Sequence, residues 1–431
     1  MGGAVKELDV AIVGGGLAGV VALAYARRAG LAAVVLERHD RVGGLWRSLP
    51  AWQDIQIGAA DWALGDLPLT GTTQPHILAN IQAWVERFDL ADGIQLNAPV
   101  QSARRSQSSW ELATPQGLVH ARHLVAATGA NNTPSIPEIA RAASSVREFH
   151  SSALHDPNLL TGRDVLVVGG GASAFDLLEL CFQFAARRVV WAFRGTRWFM
   201  PTRKPKHIAG SVRGFARMQA NGMTYEQQNT AIGDELRSRY EKFGITEIMP
   251  AHEFDVRQDQ LIPGRPVMLE RFTSIERHRA TVEAVAGGTV ALSDGTFIEA
   301  EVLLWGTGYD IDLTYFEAPK INSIRTLDAL AARCGCIFRS LDADNLYFPG
   351  VGLDGIGSAP WAYALMCRSI MSHIRGTASL GNDALDRRLN HFDLVDYLAP
   401  RDPASYPPDA WHAHYRGMAL NTPDEQPYPI P

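Results

Sequence analysis

The chain has 431 residues, 46% of them hydrophobic and 20% charged, which permits a large core in two or three domains and excludes a generally disordered chain. Its formal net charge of -6 gives no general attraction to nucleic acid or to an acidic membrane surface, so neither is an expected partner. Its 4 cysteines, Cys181, Cys334, Cys336 and Cys367, form no C-x-x-C pair and are too few for a disulfide framework; with no apolar run long enough to span a bilayer, a reducing cytoplasm is the expected setting.

Strand-like apolar runs alternate with helical patterns from Leu8 to Leu36 and again from Val165 to Phe193, the signature of parallel, doubly wound sheets. The first run is broken by Gly14, Gly15 and Gly16 and follows no positive cluster, so it reads as strand and turn rather than as a signal peptide. Between the two units, "HLVAATGANNTPSIPEI" combines a buried run, a T-G turn, Pro134 and Pro137, which predicts a strand leaving one domain through a stiff linker. The span from Lys204 to Arg265 is more polar, with helical patterning around Tyr225 to Tyr240. "VEAVAGGTVALSDGTFIEAEVLLWGTGYD" alternates apolar and polar residues around glycine turns and predicts a small meander ending in a buried strand at Leu303 to Trp305. "NLYFPGVGLDGIGSAPWAYALMCRSIM" reads as strand, glycine-rich loop and helix, a return of the chain to the first domain. The tail from Pro400 predicts an irregular surface arm, in which His412 and His414 read as surface residues; no metal site is expected.

Two of these turns carry chemistry. Gly14, Gly16 and Gly19 fit G-x-G-x-x-G after a strand, with Leu17 and Ala18 opening a helix whose N-terminus faces the phosphates of a dinucleotide. Glu37, at the end of the next strand, supplies a carboxylate for ribose hydroxyls. The second unit repeats the pattern with Gly169, Gly171 and Ala174, alanine taking the packing position and Ala172 and Ser173 opening the helix. Its second strand is followed by Arg194, where a guanidinium can pair with a 2'-phosphate that a carboxylate would repel, so this turn is expected to take NADPH rather than NADH. Arg197, Arg203 and Lys204 lie close by in sequence. The G-x-S-x-G elbow of hydrolases lacks its last glycine here, which sets aside Ser173 as a nucleophile.

With both turns read, nearly the whole chain resembles the flavin-containing monooxygenases of the two-dinucleotide-domain type, a group that extends to Baeyer-Villiger monooxygenases. The matching segments, in order, are "GGGLAG", "ERHDRVGGLW", "AATGA", "TGRDVLVVGGGASAFD", "LLWGTGYD" and "LYFPGVG". The resemblance implies an α/β fold of two Rossmann-like domains, an FAD domain at 1-160 and 305-431 with an NADPH domain at 161-304 inserted into it. It implies FAD on the first turn, with Gly44, Leu45 and Trp46 brought to the cofactor, a backbone contact from Val100 to the adenine, and an interdomain crossing at Thr128. It also implies NADPH on the second turn, a small-molecule substrate and dioxygen as partners, and leaves a homodimer open.

Two departures bear on the subclass. The family's F-x-G-x-x-x-H-x-x-x-F/Y/W fingerprint keeps His150 in "SSVREFHSSAL" but has Ser144, Val146 and Leu154 at its other positions. An asparagine often found beside the flavin falls by local match on Gln56, the candidate catalytic amide. The implied cycle is hydride transfer from NADPH to the flavin, formation of a C4a-hydroperoxide, and attack on it by an amine nitrogen or a sulfide sulfur, which asks for dryness rather than an acid-base pair. A helix beginning near Ser358 would stabilise reduced flavin with its positive end. The nearest alternative is a Baeyer-Villiger oxygenase with Arg47 or Arg203 above the flavin. A pyridine-nucleotide disulfide reductase, needing a dithiol that Cys334-Gly335-Cys336 spaces wrongly, and an NADPH oxidase are more distant.

Overall fold

A computed structural model of the chain describes residues 8-55, 57-62, 64, 67, 69-204, 218, 221-335, 338-349, 359-381 and 391-405. Among them, strands gather into two main sheets. The strand Leu8–Val13 lies at the centre of a nine-stranded sheet, parallel to Ala33–Leu36 on one side and to Gly117–Ala126 on the other. From Val10 to Val13 it is buried on both faces, which explains why "VAIV" is a continuous apolar run rather than an alternating one. The hairpin of Ser102–Ser106 and Ser109–Thr114 extends from Gly117–Ala126.

The second sheet has the order Glu276–His278, Arg188–Ala192, Asp164–Val168, Val302–Trp305 and Arg147–His150, with every pairing parallel. Both sheets are thus of the Rossmann type anticipated from the alternating pattern. The expected meander also forms: Val282–Gly287, Thr289–Leu292 and Phe297–Glu299 pair antiparallel and lead into Val302–Trp305. Gly287 and Gly295, at φ +58° and +84°, make its two turns. The sequence pattern had not shown that Ala140–Ser144 joins this sheet as a parallel edge strand.

Among the described residues of the polar middle span is a long helix, Tyr225–Phe243, closed at its start by a reciprocal Thr224/Gln227 capping box and at its end by Gly244 in the left-handed conformation. The late strand Leu346–Tyr347 returns to pair with Gly117–Ala126, and the helix Ala359–Ile374 then packs on the helix of the first turn, with Cys367 Sγ 3.8 Å from the Ala18 carbonyl. The glycine-rich loop between them lies outside the described residues, as do Ser358, His412 and His414.

The two crossings between the sheets run side by side. Thr133–Pro134 pairs antiparallel with Tyr309–Asp310, the Ser135 amide donates to the Gly308 carbonyl at 2.9 Å, and the Thr307 hydroxyl donates to the Ser135 carbonyl. Each T-G turn bends through its glycine, Gly129 and Gly308 both at φ +84°.

Within the first sheet, His123 sits beside the buried Tyr347, its Nδ1 3.3 Å from the phenol oxygen. Burial, then the neighbouring His373 and Arg122, lower its pKa to about 4. The folded state therefore holds His123 neutral, and stability is lost as pH falls from the unfolded value near 6.5 towards that lower one. We expect the melting temperature to fall between pH 7 and pH 5, and the slope to be shallower in His123→Gln; identical slopes would contradict the assignment.

Candidate functional site

At the first turn, backbone packs against backbone. Gly14 has φ +104°, and a Cβ there would lie 2.7 Å from the Ala127 carbonyl oxygen; a Cβ on Gly19 would meet the Gly14 carbonyl oxygen at 1.9 Å. Helix Leu17–Arg28 is thereby pressed onto the strand end, and its N-cap, Gly16, leaves the first amides without a side-chain cap. Such an end presents free N–H donors and the positive pole of the helix dipole, suited to a pyrophosphate.

The other residues expected at this turn are drawn to it. The Gly43 amide donates to the Gly15 carbonyl at 2.9 Å, and a Cβ on Gly44, at φ +53°, would lie 2.8 Å from Gly16 Cα. Leu45 and Trp46 begin the short helix Leu45–Ser48 directly after this contact, with Trp46 half-buried and edge-on to Trp62 at 5.8 Å. Glu37 is 3% exposed; its carboxylate accepts the Gly15 amide at 2.5 Å and the His39 amide at 2.9 Å. These bonds brace the glycine loop and leave further lone pairs on each oxygen for hydroxyl donors. The Ala98 amide donates to the Glu37 carbonyl at 2.8 Å, which seats the segment running to Val100 beside that strand end. Thr128 follows Ala127, whose amide donates to the Val13 carbonyl at 2.9 Å.

The second turn uses the same device with different partners. Gly169, at φ +128°, would place a Cβ 2.2 Å from the Gly306 carbonyl oxygen, and a Cβ on Gly170 would lie 1.9 Å from that of Gly195. Ala174 occupies the packing position, where a Cβ on Gly306 would strike its Cα at 2.7 Å. By contrast, nothing lies within 4 Å of a Cβ built on Gly171, the uncapped N-cap of helix Ala172–Gln183. The space at Gly171 is open while that at Gly169 and Gly170 is closed by backbone. Arg194 and Arg197 stand exposed at the carboxyl end of the adjoining strand, with the Arg197 amide bonded to the Gly170 carbonyl at 3.0 Å. Arg194 makes no ion pair with a described residue.

Gln56 lies outside the described residues. Its neighbours connect the two halves of the molecule. The Trp52 indole donates to the Leu154 carbonyl at 2.6 Å, and Gln53 Nε2 lies 3.3 Å from Asp176 Oδ2 on the second-turn helix. Leu154, the departure from the fingerprint, is fully buried. His150 accepts the Ser152 amide on Nδ1 at 3.2 Å, so its Nε2–H is the group that donates to Gly308 at 2.9 Å. Burial lowers its pKa, which keeps this neutral donor in place across the crossing.

Three buried charged groups that meet at the second-turn helix were not anticipated. Arg265, 2% exposed, pairs with Asp176 at 2.9 Å, while Glu179 accepts the Val267 and Met268 amides at 3.3 and 2.6 Å, its pKa raised by burial. They dock the segment after Pro263 onto the second-turn helix. The available signal was the pair of acids in "AFDLLEL", three residues apart on one face of an otherwise apolar helix. Of the residues weighed as an arginine above the flavin, Arg47 pairs with Asp40 at 2.7 Å and Arg203 is exposed. Burial pushes the thiols of Cys181 and Cys334 up to about 12, the reverse of an activated redox cysteine; Cys336 lies outside the described residues.

A direct comparison separates the closed and open sides of the second turn. Gly169→Ala should cost at least about 2 kcal/mol and lower the melting temperature by several degrees. Gly171→Ala should melt within a degree or so of the parent; equal losses in both would contradict the geometry.

Several known proteins are similar to this chain. A Baeyer-Villiger monooxygenase from Streptomyces coelicolor is 26% identical over 341 residues, covering 71% of this chain, while the chain spans 65% of that relative's length. Among solved structures, a flavin-containing monooxygenase from Stenotrophomonas maltophilia superposes with a TM-score of 0.63 at 16% identity, over 86% of this chain and 98% of its own. OTEMO in complex with FAD and NADP superposes at 0.66 with 16% identity, over 86% of both chains. The family profile that matches residues 11-241, more than half of the chain, is that of the pyridine nucleotide-disulphide oxidoreductases, and the chain belongs to that family.

Proposed function

We propose that this chain is an NADPH- and FAD-dependent monooxygenase that transfers one oxygen atom of dioxygen to a small-molecule soft nucleophile, an amine nitrogen or a sulfide sulfur. The observation that carries the reading is the pair of uncapped helix N-termini, each at a glycine turn after a central strand with parallel neighbours, flanked by opposite charges: Glu37 at the first and Arg194 at the second. The residues fit the two groups. The closed packing under Gly19 and Gly169 and the open space over Gly171 are what a dinucleotide laid on each turn needs. The relative and structural neighbours named above support the same assignment.

In this reading Gly14, Gly16, Leu17, Ala18, Gly19, Glu37, Gly44, Leu45, Trp46, Val100 and Thr128 hold FAD. Gly169, Gly171, Ala172, Ser173, Ala174 and Arg194 hold NADPH. We place the FAD domain at 1-160 and 305-431 and the NADPH domain at 161-304. The bound pair supplies hydride transfer and oxygen activation. The chain's own part is to orient the two groups through the braced crossings, to exclude water with the tryptophan-rich loop from Trp46 to Trp62, and to offer a hydrogen bond from the Gln56 amide. No strong acid-base pair is required, because a soft nucleophile needs little help from side chains.

One observation favours the second reading, oxygen insertion beside a ketone carbonyl. That chemistry calls for a fixed cation, and Arg265 is a buried guanidinium held by one oxygen of Asp176, whose other oxygen takes the Gln53 amide. The deciding experiment supplies NADPH and isotope-labelled dioxygen with amines, sulfides and ketones in turn. We expect one labelled oxygen per NADPH in an amine or sulfide product. Label only in an ester or lactone would move the assignment to the second reading, and NADPH consumed with release of hydrogen peroxide alone would overturn monooxygenation.

A further inference from the structure

The peptide that joins the first two glycines is braced at both turns, but from opposite ends. At the first turn its amide is taken: the Gly15 N–H donates to the Glu37 carboxylate at 2.5 Å. The second turn has Arg194 after its second strand in place of a carboxylate, and its brace comes from further back on that strand. The Trp191 indole donates to the Gly169 carbonyl at 2.7 Å, which holds the equivalent peptide, Gly169 to Gly170, by its oxygen.

Trp191 is fully buried, edge-on to Phe175 of helix Ala172–Gln183 at 5.5 Å and tilted against Phe193 at 4.3 Å, and Phe175 stacks on Phe199 at 4.7 Å. These rings fix the indole, so its N–H is a set donor inside an apolar cluster. A trans peptide carries its C=O and N–H on opposite sides. With the Gly169 oxygen drawn to the cluster, the Gly170 N–H faces the other way, and no described residue accepts it. The next peptide is fixed in the same manner, by the Arg197 amide on the Gly170 oxygen at 3.0 Å. Three consecutive glycines are the loosest stretch a turn can have, and ordering them only when a ligand arrives would subtract from its affinity.

We propose that Trp191 is a positioning residue for the NADPH turn: its indole N–H takes over the bracing that Glu37 gives the first turn and so frees the position after the strand for Arg194. A carboxylate there would brace the loop but repel a 2'-phosphate, whereas the indole is neutral and acts from inside the core. The proposal rests on the assignment of NADPH to the second turn.

Calorimetric binding of NADP to the intact protein, with anaerobic reduction of its flavin over a range of NADPH concentrations, tests it. Trp191→Phe keeps an aromatic ring in the cluster and removes the N–H donor. It should bind NADP about tenfold more weakly, with the NADPH concentration for half-maximal reduction raised to match, the limiting rate of reduction within about twofold of the parent and the FAD content unchanged. Trp191→His, which restores a ring N–H, should regain part of the affinity. A Trp191→Phe protein that binds NADP as the parent does, or that loses FAD and NADP alike, would assign Trp191 to the core alone and overturn the inference without touching the NADPH assignment. A parent that takes up no NADP would overturn that assignment, and the inference with it.

Discussion

Backbone lying on backbone at the two glycine turns governs the rest of the molecule. Beneath each turn the chain has no room for a single carbon atom, at Gly19 against Gly14 and at Gly169 against Gly306. That closeness brings each helix N-terminus to the carboxyl end of its central strand and holds it there, with its amides unpaired by any side-chain cap. The same contact therefore closes the core and leaves a site of positive potential facing outward. The surroundings of the two turns differ in charge, with the Glu37 carboxylate at the first and the exposed Arg194 guanidinium near the second.

Two such sites are useful only if they are held in register with each other. The chain crosses between the sheets twice, and the crossings are sewn together by Ser135, Thr307 and Gly308, with neutral His150 donating to Gly308 from the end of its own strand. Trp52 and Gln53 reach from the loop before Gln56 to Leu154 and Asp176. Asp176 in turn meets Arg265, a buried pair in which loss of one partner would leave the other charge stranded, at about 3-5 kcal/mol. A buried pair of this kind is weak evidence for stability, and here it sits between the loop and the second-turn helix. The apolar cysteines play no comparable part: Cys334 is fully buried, its thiol pushed up to about 12.

Much of this was legible in the chain because the turns are local. A strand, three glycines and a helix fall within a dozen residues, and their steric reason is written in residue types alone. The meander, the Tyr225–Phe243 helix and the late return strand were visible for the same reason, each having its own period and turn residues. What stayed hidden depends on pairs far apart in sequence. The docking of Arg265 onto Asp176 joins positions 89 residues apart, and the arginine belongs to a polar stretch with no regular period. The brace that Glu37 gives the Gly15 amide needed the loop geometry to be seen.

The central claim is that the second turn delivers a reductant to a flavin seated on the first. An anaerobic titration of the purified protein tests it most directly, with Gly171→Val beside the parent to fill the open space over the second turn. The parent should carry FAD and be bleached by one equivalent of NADPH, whereas Gly171→Val should keep its FAD, resist NADPH and still be bleached by dithionite. A parent without flavin, or a variant reduced by NADPH as fast as the parent, would contradict the account.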